Sequence, residues 1–182
     1  MIPDLTALGK IIGGGFPAGA VAGKADYMNF FSPKAPSHIL HSGTFNGNPV
    51  TMVAGLETLK LLGKSEIDRI NAYGKLIRAR IRNISDQTGI ICQVTGKGSL
   101  AQIHFTVHPV RDWRSAASAR LDLRTLLHML LLEKGFLIAP RGFLNISTPM
   151  SESEILQLAD AVAESFSKMK PFVAKNVPEL LA

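Results

Sequence analysis

The sequence predicts an α/β segment over residues 1–63, an α+β unit over residues 64–170, and a short tail from 171 to 182. Three observations carry this division. Glycine and proline crowd the first fifty residues and leave room only for short strands and turns. Two long stretches of helical periodicity follow directly. From Ile90 onward strand-like and helix-like runs interleave, as in a small sheet with helices on one side. The strands of the first segment are too few for a sheet of ordinary size, so it reads as the end of a domain rather than a whole one.

Strands are expected at Lys10 to Ile12 and Ala18 to Ala22, separated by Gly13-Gly14-Gly15. A helix should begin at Asn48-Pro49, because asparagine caps a helix well and proline loses nothing at the first helical position. Met52, Val53, Leu56, Leu59 and Leu62 carry it to Gly63. A second helix runs from Ser65 to near Gly89, with Ile67, Ile70, Leu76, Ile77, Ile81 and Ile84 on its apolar side. Strands are expected at residues 90–95, 100–107, 137–139 and 144–148, and an irregular connection at 108–119. Helices are expected over about 121–134 and 152–168, the latter opened by a capping box of Ser151 and Glu154.

Composition narrows the function. With 46% hydrophobic and 19% charged residues, the chain can bury a core and is not of the disordered class. Twenty Lys and Arg against 14 Asp and Glu give a net charge of +6. The basic residues are scattered, and the densest group (Lys75, Arg78, Arg80, Arg82) reads as a solvated helix face, so no nucleic-acid surface is expected. Anionic small molecules are a more natural use of the surplus. The single cysteine, Cys92, lies in an apolar run and reads as a buried, inert thiol. No stretch approaches the ~20 apolar residues of a membrane helix. The five histidines show no metal-ligand spacing. A cytoplasmic setting is expected, with no membrane partner and no metal.

Chemistry concentrates in three segments. In Leu8-Gly9-Lys10-Ile11-Ile12-Gly13-Gly14-Gly15-Phe16-Pro17, one lysine stands at a strand edge before a glycine run. A desolvated lysine amine can form a Schiff base with an aldehyde cofactor, although a surface lysine would satisfy the same pattern. In His41-Ser42-Gly43-Thr44-Phe45-Asn46-Gly47-Asn48-Pro49, a hydroxyl and loop N–H groups precede a helix N-terminus, which suits an anion or simply a capped turn. In Ala139-Pro140-Arg141-Gly142-Phe143, a guanidinium could grip a carboxylate with two hydrogen bonds or make a surface ion pair.

The first segment resembles the active-lysine region of class III aminotransferases of fold type I, in the branch of glutamate-1-semialdehyde aminomutases and β-amino-acid aminotransferases. The resemblance makes Lys10 the lysine that forms a Schiff base with pyridoxal 5′-phosphate. The second segment is similar to the Gly-Thr-x-x-Gly-Asn-Pro motif of that family. There the threonine binds the cofactor phosphate of the neighbouring subunit, which implies roles for Gly43 and Thr44 and a homodimer. The third segment looks like the β-amino-acid branch, in which Arg141 would hold a substrate carboxylate. Gly96-Lys97-Gly98-Ser99-Leu100 resembles that branch as well. The implied reaction is amino-group transfer between an amino acid and a keto acid, or its intramolecular version.

This resemblance runs from Pro3 to about Phe166 but matches only the C-terminal part of the family's length. The expected counterparts of the aspartate at the pyridine nitrogen, the aromatic stacked on the ring and the first phosphate loop lie before the lysine. Asp4 is six residues from Lys10 and is no substitute. The chain alone is therefore expected to be a weak aminotransferase or none. The alternative is a non-catalytic fragment that serves as a dimerisation or folding module.

Overall fold

In the computed structural model, which describes residues 2–182, the first strand falls earlier than the glycine pattern suggests. Strands β1 (Leu5–Gly9) and β2 (Gly19–Gly23) pair antiparallel, with Leu5 opposite Gly23 and Gly9 opposite Gly19. The expected strand Lys10 to Ile12 is instead a 3-10 turn, Lys10–Gly13. Gly14 N–H donates to Ile11 O (3.2 Å) and Phe16 N–H to Gly13 O (3.0 Å), so successive tight turns use the backbone groups that a strand would have paired. After β2 come a short helix α1 (Ala25–Met28), which lacks a periodic signature, and a 3-10 turn at Asn29–Phe31.

Helix α2 (Pro49–Leu61) starts where its cap dictates: Asn48 Oδ1 accepts from Val50 N–H (3.0 Å) and Thr51 N–H (3.2 Å). It is apolar nearly all round. Thr51 and Gly55 are buried, whereas Val50, Met52, Val53, Leu56, Leu59 and Leu61 are exposed.

The chain divides into two compact units, the first reaching to Lys64 and the second running Ser65–Ala182. The second contains helices α3 (Lys64–Thr88, but for its first residue), α4 (Trp113–Ala117), α5 (Leu121–Glu133) and α6 (Glu152–Asn176). Its antiparallel sheet has the order β3 (Gln93–Thr95), β4 (Leu100–His104), β5 (Phe143–Asn145). On β4 the alternation points Ala101 and Ile103 into the core, where they meet Ile77 and Ile81 of α3, Leu123, Leu127 and Leu131 of α5, and Ile155, Val162 and Phe166 of α6. The expected strand at 137–139 is reduced to one bridge, Ala139 with Phe143. Within the expected irregular connection, Asp112 and Ser115 build a capping box that nucleates α4.

Helix α6 runs past the expected stop at Lys168 and through Pro171, so residues 171–176 are helix rather than tail. Met169, Val173 and Val177 continue its buried stripe at spacings of four, while Pro171 lies on the exposed face, where water can solvate the carbonyl left without an N–H partner. The last residues are also tied down. Ile91 N–H donates to Leu180 O (2.8 Å), Ala182 N–H donates to Gly89 O (2.8 Å), and Leu180 is buried.

The basic cluster of α3 is not simply a solvated face. Arg78 donates to Gly98 O (2.8 Å) and Leu100 O (2.6 Å), and Arg82 to Val94 O (2.8 Å). Arg69 donates to Met150 O (2.9 Å) and Thr148 O (2.6 Å). These guanidiniums donate to backbone carbonyls of strands and loops instead of facing only solvent.

Cys92 is 8% exposed, and burial pushes its thiol up to about 11 from 9.0. A raised folded-state pKa stabilises the fold below the unfolded value and ceases to do so as pH rises through the folded one. Between pH 9 and 11 the thiol should therefore withdraw about 2–3 kcal/mol of stability. Urea midpoints of the wild type and Cys92→Ala across that range should converge as pH rises, and parallel curves would refute the linkage.

Candidate active site

Lys10 sits at the junction of β1 and the 3-10 turn, exposed, with φ +56°. It is the one non-glycine residue with positive φ among the described residues. Such a conformation costs on the order of 1–3 kcal/mol and persists only where surrounding structure imposes it. The imposing structure is α2. At Gly14 (φ +59°) a Cβ would lie 2.3 Å from Ala54 O, and at Gly55 a Cβ would lie 2.2 Å from Ile12 O. Turn and helix thus meet backbone to backbone, and the glycines make that approach possible. Gly14 admits the helix, whereas Gly15 faces open space.

Asp4 is engaged elsewhere. Its carboxylate pairs with Lys24 Nζ (2.5 Å), and its carbonyl accepts from Lys24 N–H (3.0 Å), closing the open end of the β1–β2 pair.

Gly43 and Thr44 lie exposed in the loop that leads into α2. Asn46 N–H donates to Gly43 O (3.0 Å), and Asn48 N–H to Phe45 O (3.3 Å), so the loop is a pair of overlapping turns. The Asn48 side chain already takes the first helix N–H groups. An anion held here would rely on the Thr44 hydroxyl and loop N–H groups more than on the helix end itself. Thr44's loop and Lys10's turn both abut α2, the first along the chain and the second by packing.

Arg141 lies in the second unit, at the tip of a tight turn. Gly142 N–H donates to Ala139 O (2.8 Å), and Ala139 N–H to Phe143 O (3.2 Å). Among the described residues its guanidinium makes no ion pair; it lies over the Phe143 ring, 5.2 Å from the centroid. The surface ion pair weighed from sequence is therefore not what holds it. The Arg141 carbonyl accepts from Gln102 Nε2 (3.3 Å) and Arg124 Nη1 (3.3 Å).

Arg124 was not singled out by sequence reasoning. It is 8% exposed on α5, beside the stripe of Leu123, Leu127 and Leu131. A charged residue bordering that stripe was the available signal. Burial works against its charge and lowers its pKa, although an arginine stays protonated. His104, 2% exposed, has its pKa pushed down by burial first and by the Arg124 charge second, which favours the neutral ring; its Nε2 meets Thr95 Oγ1 at 3.0 Å. His128 Nδ1 meets Ile138 O at 2.8 Å, and His41 stacks tilted on Phe31. These contacts give three histidines ordinary structural roles.

The first unit thus holds a lysine on a glycine-packed turn and a hydroxyl loop that enters the helix packed on it, and the second unit by itself presents an arginine on a hairpin. Comparisons with known proteins identify the family. The aminotransferase class-III family model matches residues 1–164, and the chain belongs to that family. It is 40% identical to an omega-transaminase from Sphaerobacter thermophilus, with a TM-score of 0.82 over 92% of this chain and 39% of that one. It is 36% identical to a β-phenylalanine aminotransferase from Variovorax paradoxus, with a TM-score of 0.84 over 95% and 39% of the two chains. A glutamate-1-semialdehyde 2,1-aminomutase from Methanothermobacter thermautotrophicus is 38% identical over 170 residues, 92% of this chain and 40% of the relative. The chain thus spans about two-fifths of the length of these relatives, and its fold is the corresponding piece of a fold type I transaminase.

Proposed function

We propose that this chain carries the lysine-bearing end of the cofactor domain and the small domain of a pyridoxal 5′-phosphate-dependent aminotransferase, with Lys10 as the cofactor lysine. The carrying observation is the strained backbone of Lys10, held by the packing of Gly14 and Gly55 against α2 and the turn. Strain maintained by a dedicated backbone contact is expected where an amine must be aimed.

The residues present fit part of the cofactor. Lys10 supplies the amine, the Gly43–Thr44 loop supplies a hydroxyl and N–H donors for a phosphate, and Arg141 supplies a carboxylate grip. Asp4 does not take the role of partner to the pyridine nitrogen, since it is bound to Lys24. When bound, the cofactor acts as the electron sink for amino-group transfer between an amino acid and a keto acid. This chain's own part is to hold the cofactor by Lys10 and Thr44, to orient the substrate by Arg141, and to move a proton at the substrate α-carbon with the Lys10 amine. With only that part, the chain alone is a weak catalyst. The exposed apolar side chains of α2 (Met52, Val53 and Leu56 among them) support a homodimer and also favour a second reading, a non-catalytic dimerisation module. A lone, buried thiol suits the reducing cytoplasm.

Incubation with pyridoxal 5′-phosphate followed by borohydride should fix an adduct on the Lys10 peptide, read by peptide mass. Lys10→Ala should lose that adduct, leaving only the scattered labelling of surface lysines. Equal labelling of all lysines would leave the dimerisation module as the better account.

A further inference from the structure

We propose that Arg124 is a positioning residue for Arg141: a buried guanidinium that fixes the turn on which the carboxylate grip is presented. The proposal rests on the reading of Arg141 as that grip.

The turn is clamped from beneath by backbone and side chain together. Ile103 N–H donates to Gly142 O (2.9 Å), and a Cβ on Gly142 (φ +78°) would lie 2.8 Å from Ile103 O and 3.2 Å from Arg124 Cδ. Residue 142 therefore rests directly on β4 and on the stem of Arg124. One carbonyl, that of Arg141 itself, is met by two side-chain donors, Arg124 Nη1 and Gln102 Nε2. The other arm of the fork, Arg124 Nη2, reaches Ala119 O at 3.5 Å, and the neighbouring Arg120 N–H is tied to Phe105 O (3.1 Å). Arg124 thus spans from the turn to the segment leading into α5.

Packing alone does not account for an arginine here. A buried guanidinium without a carboxylate partner is costly, and leucine or methionine would fill the volume with no charge to desolvate. Among the described residues no acid pairs with Arg124, and its buried Nε has no partner. Arginine adds two things that the apolar residues lack. It has a rigid fork long enough to reach carbonyls on two segments, and it places a second positive charge beneath the turn that presents the first. The first restricts where the Arg141 guanidinium can go, because its backbone is held on one side and its plane lies over Phe143 on the other. The second raises the potential that a carboxylate meets.

The test uses the full 182-residue chain, ¹⁵N-labelled, with 3-phenylpropanoate as the carboxylate probe at constant ionic strength. The Arg141 Nε–Hε resonance is identified by its loss in Arg141→Lys. In the wild type it should shift saturably. In Arg124→Gln the apparent Kd should rise about tenfold, as expected when a binding group loses its fixed geometry, and Arg124→Lys should recover part of that loss. Should Arg124→Gln fail to fold, Gln102→Ala removes the other donor from the same carbonyl and should weaken binding about threefold. A folded Arg124→Gln that titrates like the wild type, or a Gln102→Ala that does so where it is the only usable variant, overturns the positioning role while leaving Arg141 as the grip. A wild-type resonance that ignores the probe overturns the reading of Arg141 and this proposal with it.

Discussion

Replacing Phe166 by alanine is expected to destabilise the second unit by about 3–5 kcal/mol, the range for removing a fully buried aromatic side chain. Phe166 is 0% exposed near the middle of α6, and its ring packs tilted on that of Phe105, with centroids 5.5 Å apart. The loss combines three effects: apolar area returned to water, a cavity that helix and sheet cannot close without moving, and a ring pair broken. Domains of this size hold only 5–15 kcal/mol in total, so the variant should be partly unfolded at modest urea. Phe172→Ala, on the same helix but 41% exposed, is the control and should shift the urea midpoint by a small fraction of that amount. Circular dichroism through a urea series decides it. Equal midpoints for the two variants would mean that α6 is not the central element of this core.

The same helix shows where sequence was sufficient and where it was not. Its start was legible because the signal is local: Ser151 Oγ accepts from Glu154 N–H (3.3 Å), and Glu154 answers at Ser151 N–H (2.7 Å), all within four residues. Asn48-Pro49 was legible for the same reason. The passage through Pro171 was not, because propensity argues against it and only the tertiary burial of Met169, Val173 and Val177 outweighs the lost hydrogen bond. The arginines repeat the lesson. Arg78 and Arg82 read as part of a solvated face and Arg69 and Arg124 drew no reading, yet each donates to backbone carbonyls, most of them distant in sequence, which no local pattern could reveal. The candidate site divides likewise. The lysine, threonine and arginine were recognisable as motifs, whereas the strain at Lys10 and the support beneath Arg141 come from contacts made only in the folded chain.

Gly55→Ala is expected to disable Lys10, the lysine proposed to hold the cofactor, without touching it. The new methyl would stand 2.2 Å from Ile12 O and 3.3 Å from Ile12 C, both backbone atoms that cannot rotate away. Either α2 or the turn Lys10–Gly13 must therefore shift. Overpacking of this kind costs about 1–3 kcal/mol, and the turn is the softer partner, since α2 is a continuous helix with a well-made cap. Moving the turn releases the constraint that holds Lys10 at φ +56°, so its amine should lose its aim even where the unit stays folded. In the borohydride experiment, labelling at Lys10 should fall about tenfold, towards that of an ordinary surface lysine. Gly63→Ala supplies the control: a Cβ there meets nothing within 4 Å, and its labelling should match the wild type. If Gly55→Ala labels Lys10 as readily as the wild type does, backbone strain is not what aims the amine, and its reactivity must come from its chemical surroundings alone. If labelling collapses while the helical signal of the chain persists, the glycine-on-backbone contact with α2 is what turns one lysine among eleven into the reactive one.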